Sequence, residues 1–77
     1  MEKLKLFYME GCPYCDKVRL FMKDNDINVE MVDIHADPKN KEDLETIGGK
    51  IQVPMLLIDK DPLYESEDII QWFKKNK

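Results

Sequence analysis

The spacing of apolar positions changes several times along the chain, and each change marks an element. Lys3 to Met9 alternates charged and apolar residues before turning apolar, as a strand partly buried on one side would, and Gly11 breaks it. From Pro13 the period becomes helical. Tyr14, Val18, Phe21 and Met22 share one face, with Asp16, Lys17, Arg19 and Lys23 mostly opposite, and the helix should end around Asn25–Asp26. Asn28 to Ile34 alternates again and predicts a second strand, with Val29, Met31 or Val32, and Ile34 as inward candidates. Asp37-Pro38 opens a second helix, the aspartate as N-cap and the proline at the first helical position. Leu44 and Ile47 form its apolar stripe, and Gly48-Gly49 stops it. Val53 to Ile58 predicts a third strand, and a turn over Asp59 to Pro62 leads to a short fourth at Leu63-Tyr64. Ser66 is placed to cap a last helix whose Ile69, Ile70 and Phe73 face the core. Glu67 and Asp68 in its first turn, and Lys74, Lys75 and Lys77 in its last, suit the helix dipole.

The predicted order is therefore βαβαββα. Strands joined by a helix are expected to run parallel with a right-handed crossover, and strands joined by a four-residue turn antiparallel. The fold class is α/β, with a four-stranded mixed sheet flanked by helices on both faces. With 77 residues, no internal repeat and no linker-like segment, residues 1–77 form one small domain with an economical core.

Composition narrows the function classes. The chain is 43% hydrophobic and 36% charged, which argues for a globular protein rather than a disordered one. No apolar run approaches the roughly 20 residues that span a bilayer. The first residues carry no long apolar segment followed by a small-residue cleavage site, so the cytoplasm is the expected location. A net charge of −4 with scattered Lys and Arg argues against nucleic acid as a partner, because that binding neutralises phosphates. The domain is expected to act as a monomer.

Candidate chemistry rests on the two cysteines, Cys12 and Cys15. They could form a structural disulfide, half of a metal site or a redox pair. A bridge spanning two residues would constrain the unfolded chain little. Zinc wants four ligands, and His35 is the one further soft candidate. The redox pair is the favoured reading. Cys12-Pro13-Tyr14-Cys15 falls where the first strand passes into the first helix, beyond the carboxyl end of a parallel strand, where α/β sheets gather functional groups. Pro13 at the first helical position makes Cys12 the N-cap. Its sulfur could accept from the N–H groups of Tyr14 and Cys15, and this favours the nucleophilic thiolate. Cys15, one turn inside and more buried, should stay a thiol until it resolves the mixed disulfide formed at Cys12. Tyr14 offers an aromatic contact surface.

Cys-Pro-Tyr-Cys after an apolar strand resembles the motif of the dithiol glutaredoxins, in the thioredoxin-like superfamily. Val53-Pro54 resembles that family's Thr-Val-Pro element, whose cis-proline lies beside the active-site sulfur and whose valine pairs with a peptide-like substrate. Glu65-Ser66 is similar to the Glu-Ser element of glutathione-transferase N-terminal domains, making Ser66 and the N–H of Glu67 candidate ligands for a γ-glutamyl carboxylate. The resemblance covers essentially the whole chain. It implies a thioredoxin-like fold and a thiol–disulfide oxidoreductase acting on protein or glutathione mixed disulfides. It further implies no tightly bound cofactor, and glutathione or another low-molecular-weight thiol as co-substrate. Met9 and Ile51 stand where the family commonly carries basic residues, and Glu10 adds negative charge near Cys12. Lys39, Lys41 and Lys50 could compensate. Two alternatives follow: a thioredoxin-like hydrogen donor for ribonucleotide reductase, reduced by a flavoprotein reductase, and an iron–sulfur cluster carrier, against which the stiffness of Pro13 argues.

Overall fold

The computed structural model describes residues 3–76. The element order is β1 (Leu4–Tyr8), α1 (Pro13–Asp24), β2 (Glu30–Asp33), α2 (Pro38–Gly48), β3 (Met55–Ile58), β4 (Asp61–Tyr64) and α3 (Ser66–Asn76). The strands lie in the order β2-β1-β3-β4. β1 pairs parallel with β2, while β3 pairs antiparallel with both β1 and β4. This is the expected α/β, thioredoxin-like, mixed four-stranded sheet. Lys77, placed by its charge in the last turn, lies outside the described residues.

The core has two halves, one on each face of the sheet. Leu6 and Leu56 meet Val18 and Met22 of α1 and Ile69, Ile70 and Phe73 of α3. Phe7, Met55 and Leu57 point the other way, onto Ile34 and Leu44 of α2. Neighbouring residues of a strand thus serve opposite faces, which is why the central strands β1 and β3 carry consecutive apolar residues. β1 is therefore buried on both faces through Leu6 and Phe7, not on one.

Several expectations are corrected by packing. β3 runs antiparallel to β1, and so to β2, although α2 joins β2 to β3. A helical connection permits parallel pairing without compelling it, and here β1 lies between the two strands. The fourth strand begins at Asp61, two residues earlier than expected, so the hairpin turn is only Asp59-Lys60. Pro62 is accommodated because β4 is an edge strand, where a missing N–H costs nothing if it faces away from the ladder. Tyr14 and Ile47, both assigned to buried stripes, are 66% and 40% exposed. Cys15 takes the inward place on α1 instead of Tyr14. Met31 is exposed, while Val32 packs on the second half of the core.

Local signals behave as their chemistry requires. The Asp37 carboxylate accepts the Lys39 N–H at 2.9 Å, and Pro38 opens α2. Gly49 ends that helix in the left-handed conformation, φ 80°, which glycine adopts without strain. No helix among the described residues is long and apolar enough to cross a membrane.

Candidate active site

Glu10 and Gly11 form the turn between β1 and α1, and Gly11 has φ 79°, a conformation that a side chain disfavours. The chain then delivers Cys12 to the N-cap position in extended conformation, with its carbonyl accepting the Asp16 N–H at 2.9 Å and Pro13 as the first helical residue. The cap position is as expected, but the cap hydrogen bonds are not: the Cys12 sulfur accepts none from the helix. Both cysteines are free thiols, Cys12 6% exposed and Cys15 fully buried. Burial pushes the Cys15 thiol up to about 12. The neighbouring Cys12 and the Asp16 carboxylate add to the rise, and the Met9 backbone opposes it.

A groove of about 330 Å³ opens beside Tyr14, lined also by Gln52, Val53, Pro54, Glu65 and Ser66. It joins the start of α1, the segment before β3 and the start of α3. The Val53–Pro54 peptide bond is cis, as the resemblance implied, although both residues precede β3 rather than opening it. Ser66 is buried and is the first helical residue of α3, not its cap. Glu65 holds the cap position with φ 72°, and its carbonyl accepts the Ile69 N–H at 3.0 Å. The Glu67 side chain leaves the groove to pair with Lys17 of α1, which lowers its pKa. Of the residues singled out from sequence, Tyr14, Val53, Pro54 and Ser66 thus meet in one groove, and Glu67 adjoins it through the backbone of α3.

Gln52 was not legible as a site residue. It donates to the Glu65 carboxylate at 3.1 Å across the groove. Its one signal in the sequence is its place beside Val53. Glu10, expected to add charge near Cys12, is paired with Arg19 at 3.3 Å. Met9 is half-buried against the second half of the core, whereas Ile51 is 49% exposed. A wider cleft of about 780 Å³ lies between α1 and β2, lined among others by Arg19, Leu20 and Met31; neither cysteine lines this cleft or the groove, which adjoins the Cys12–Cys15 segment through Tyr14.

A mixed sheet with two thiols at the β1–α1 junction and a cis-proline just before β3 defines a thioredoxin-like redox domain. The sequence profile described as "Glutathione S-transferase, N-terminal domain" matches residues 6–77. The chain is 37% identical to the glutaredoxin of Vibrio cholerae and 33% identical to glutaredoxin 1 of Salmonella typhimurium. In each case the match covers 92% of this chain and 90% of the relative. A glutathione S-transferase from Methylobacillus flagellatus, solved with GSH bound, is 31% identical with a TM-score of 0.75. That match covers 97% of this chain and 37% of the transferase. The chain belongs to the glutaredoxin family and is a thiol–disulfide oxidoreductase. The hydrogen-donor and cluster-carrier readings are not favoured by these relatives.

Proposed function

We propose that Cys12 and Cys15 reduce protein disulfides and glutathione mixed disulfides by a dithiol exchange, with substrate held along Val53 and Pro54. The observation that carries this reading is the inequality of the two thiols, Cys12 at the helix start and Cys15 fully buried one turn behind with its pKa at about 12. The Cys12 thiolate attacks one sulfur of a substrate RS–SR′. A Cys12–S–S–R bond forms, the RS–SR′ bond breaks, and R′S⁻ leaves with the electron pair and takes up a proton. Burial is the main cause of the raised Cys15 thiol, and capping Cys12 removes the smaller contributions that its neighbour makes to that rise. Cys15 then gives up its proton and attacks the Cys12 sulfur, closing the Cys12–Cys15 disulfide and releasing RSH. Two molecules of a low-molecular-weight thiol return the two electrons and leave joined as a disulfide. That regeneration suits a reducing compartment such as the cytoplasm.

Alkylation with iodoacetamide followed by mass analysis tests the assignment. A group whose pKa is raised to about 12 stays a neutral thiol throughout pH 6–9, and only thiolate reacts appreciably. One cysteine should therefore be modified across that range, and it should be Cys12. Faster labelling of Cys15 would reverse the roles.

Glutathione as co-substrate is supported by the family and by the GSH-bound transferase relative. Ser66 and the N–H groups at the start of α3 are the groups we assign to its γ-glutamyl carboxylate. Ile51 is exposed where the family commonly has a basic residue, so Ile51→Lys should cost little in folding. One exposed charge pair contributes about 0.2–1 kcal/mol. Ile51→Lys should accordingly lower the Michaelis constant for glutathione up to about fivefold and leave the alkylation rate of Cys12 unchanged. Steady-state kinetics at two salt concentrations read this out, and an unchanged constant at low salt would exclude a charge at position 51 as a determinant of glutathione binding.

A further inference from the structure

Arg19 touches three points of the segment that delivers the cysteines. It stands on α1 one turn beyond Asp16, and its guanidinium lies 3.6 Å from the Asp16 carboxylate. The same Nη1 lies 3.3 Å from the Glu10 carboxylate, in the turn that leads to Cys12. The guanidinium carbon sits 4.7 Å from the ring centroid of Tyr8, the last residue of β1. Glu10 and Tyr8 thus hold the cation from the strand side, and Asp16 holds it from the helix side. Asp16 directly follows Cys15, and its N–H donates to the Cys12 carbonyl at 2.9 Å. Its charge is therefore fixed one residue from the sulfur that must become a thiolate to close the disulfide, and a like charge disfavours that ionisation. Burial is the larger obstacle, and the Asp16 carboxylate adds to it. The positive end of α1 favours a thiolate, but an acidic side chain in the first turn offsets that help.

From this geometry we propose that Arg19 is a positioning residue for disulfide closure: it holds and neutralises the Asp16 carboxylate while the Cys15 sulfur attacks Cys12. The inference rests on the roles given above to the two thiols, and it concerns the second exchange alone. Arg19 acts through Asp16, anchored by Glu10 and the Tyr8 ring.

A neutral aromatic disulfide, 4,4′-dithiodipyridine, separates the two exchanges. The Cys12 thiolate attacks one of its sulfurs, a Cys12–S–S–pyridyl bond forms, and one pyridine-4-thiolate leaves, takes up a proton and absorbs as the thione. Cys15, its proton lost to solvent, then attacks the Cys12 sulfur, closes the Cys12–Cys15 disulfide and expels the second thiolate, which is protonated likewise. With the reagent in excess, the first release quickens with its concentration and the second does not, so stopped-flow absorbance of the second release reads closure. At low ionic strength Arg19→Gln should slow closure about two- to fivefold, the upper part of the range for one exposed ion pair. Arg19→Lys, which keeps the charge, should recover most of that loss. The loss should shrink at about 1 M salt, where the Debye length is about 3 Å. In an Asp16→Asn background, Arg19→Gln should leave closure unchanged, and Asp16→Asn alone should not slow it. Equal slowing by Arg19→Gln with and without the Asp16 carboxylate, no slowing at all, or slowing by Asp16→Asn alone overturns the inference. Absence of the first release from the unsubstituted protein would instead remove Cys12 as the attacking group, and the inference with it.

Discussion

Cys12→Ser is expected to abolish disulfide reduction, by at least about a thousandfold, because exchange needs a thiolate and a hydroxyl cannot stand in for one at neutral pH. Cys15 cannot take over. It is fully buried and, with its thiol at about 12, almost entirely protonated at working pH. Cys15→Ser should behave differently. Cys12 remains at the head of α1, so the first exchange proceeds, but no internal thiol follows to release the substrate. Mixed disulfides with protein substrates should then accumulate and appear on non-reducing gels as adducts that dithiothreitol dissolves. Turnover with glutathione mixed disulfides can persist, because external glutathione is able to release the product. If the two variants lost activity equally and neither trapped an adduct, the two-thiol division of labour would be wrong.

Gly48→Ala should lower the melting temperature by about 5–15 °C, although helix propensity alone favours the alanine. Gly48 is the last residue of α2, where Ala in place of Gly contributes at most about 1 kcal/mol in its favour. Against this, a Cβ at position 48 would lie 1.8 Å from the Tyr64 hydroxyl and 2.9 Å from the ring carbon that bears it. Tyr64 has little room to withdraw. It stands at the end of β4 opposite Met55, is half-buried, packs on the second half of the core, and donates to the Lys50 carbonyl at 3.4 Å. Overpacking of this kind costs about 1–3 kcal/mol. With the cost in the upper half of that range, about 2–3 kcal/mol, the remainder of about 1–2 kcal/mol corresponds to that shift in a domain of this size. A double-mutant cycle checks the cause: in a Tyr64→Ala background, Gly48→Ala should become neutral or stabilising. Equal destabilisation in both backgrounds would exclude the tyrosine as the obstacle. The same contact bears on the site, since residues 49–54 run from this helix end to Pro54.

Much of this molecule is local, and what is local was legible from the chain. The seven elements and their order follow from periodicity and breakers. Asp37 caps α2, Gly49 ends it in a left-handed conformation, and Pro13 sets Cys12 at the head of α1. Each depends on a few adjacent residues, so neighbouring side chains suffice to specify it. The pairing of Cys12 with Cys15 and the place of Val53-Pro54 were visible for the same reason, as short motifs at element boundaries.

The tertiary structure decided what depends on how elements turn toward one another. Periodicity groups Tyr14 with Val18 and Met22, but it does not set the rotation of α1 on the sheet, and that rotation buries Cys15 and leaves Tyr14 exposed. The direction of β3 was not determined by α2, because the strand that it joins is β1, already lying between. The need for glycine at position 48 comes from a tyrosine sixteen residues away in sequence. The Gln52–Glu65 hydrogen bond and the Lys17–Glu67 pair are equally remote along the chain. Such contacts arise only when distant segments are packed together, so the lining of the groove is a property of the fold. The thiol chemistry was already written at the start of a single helix.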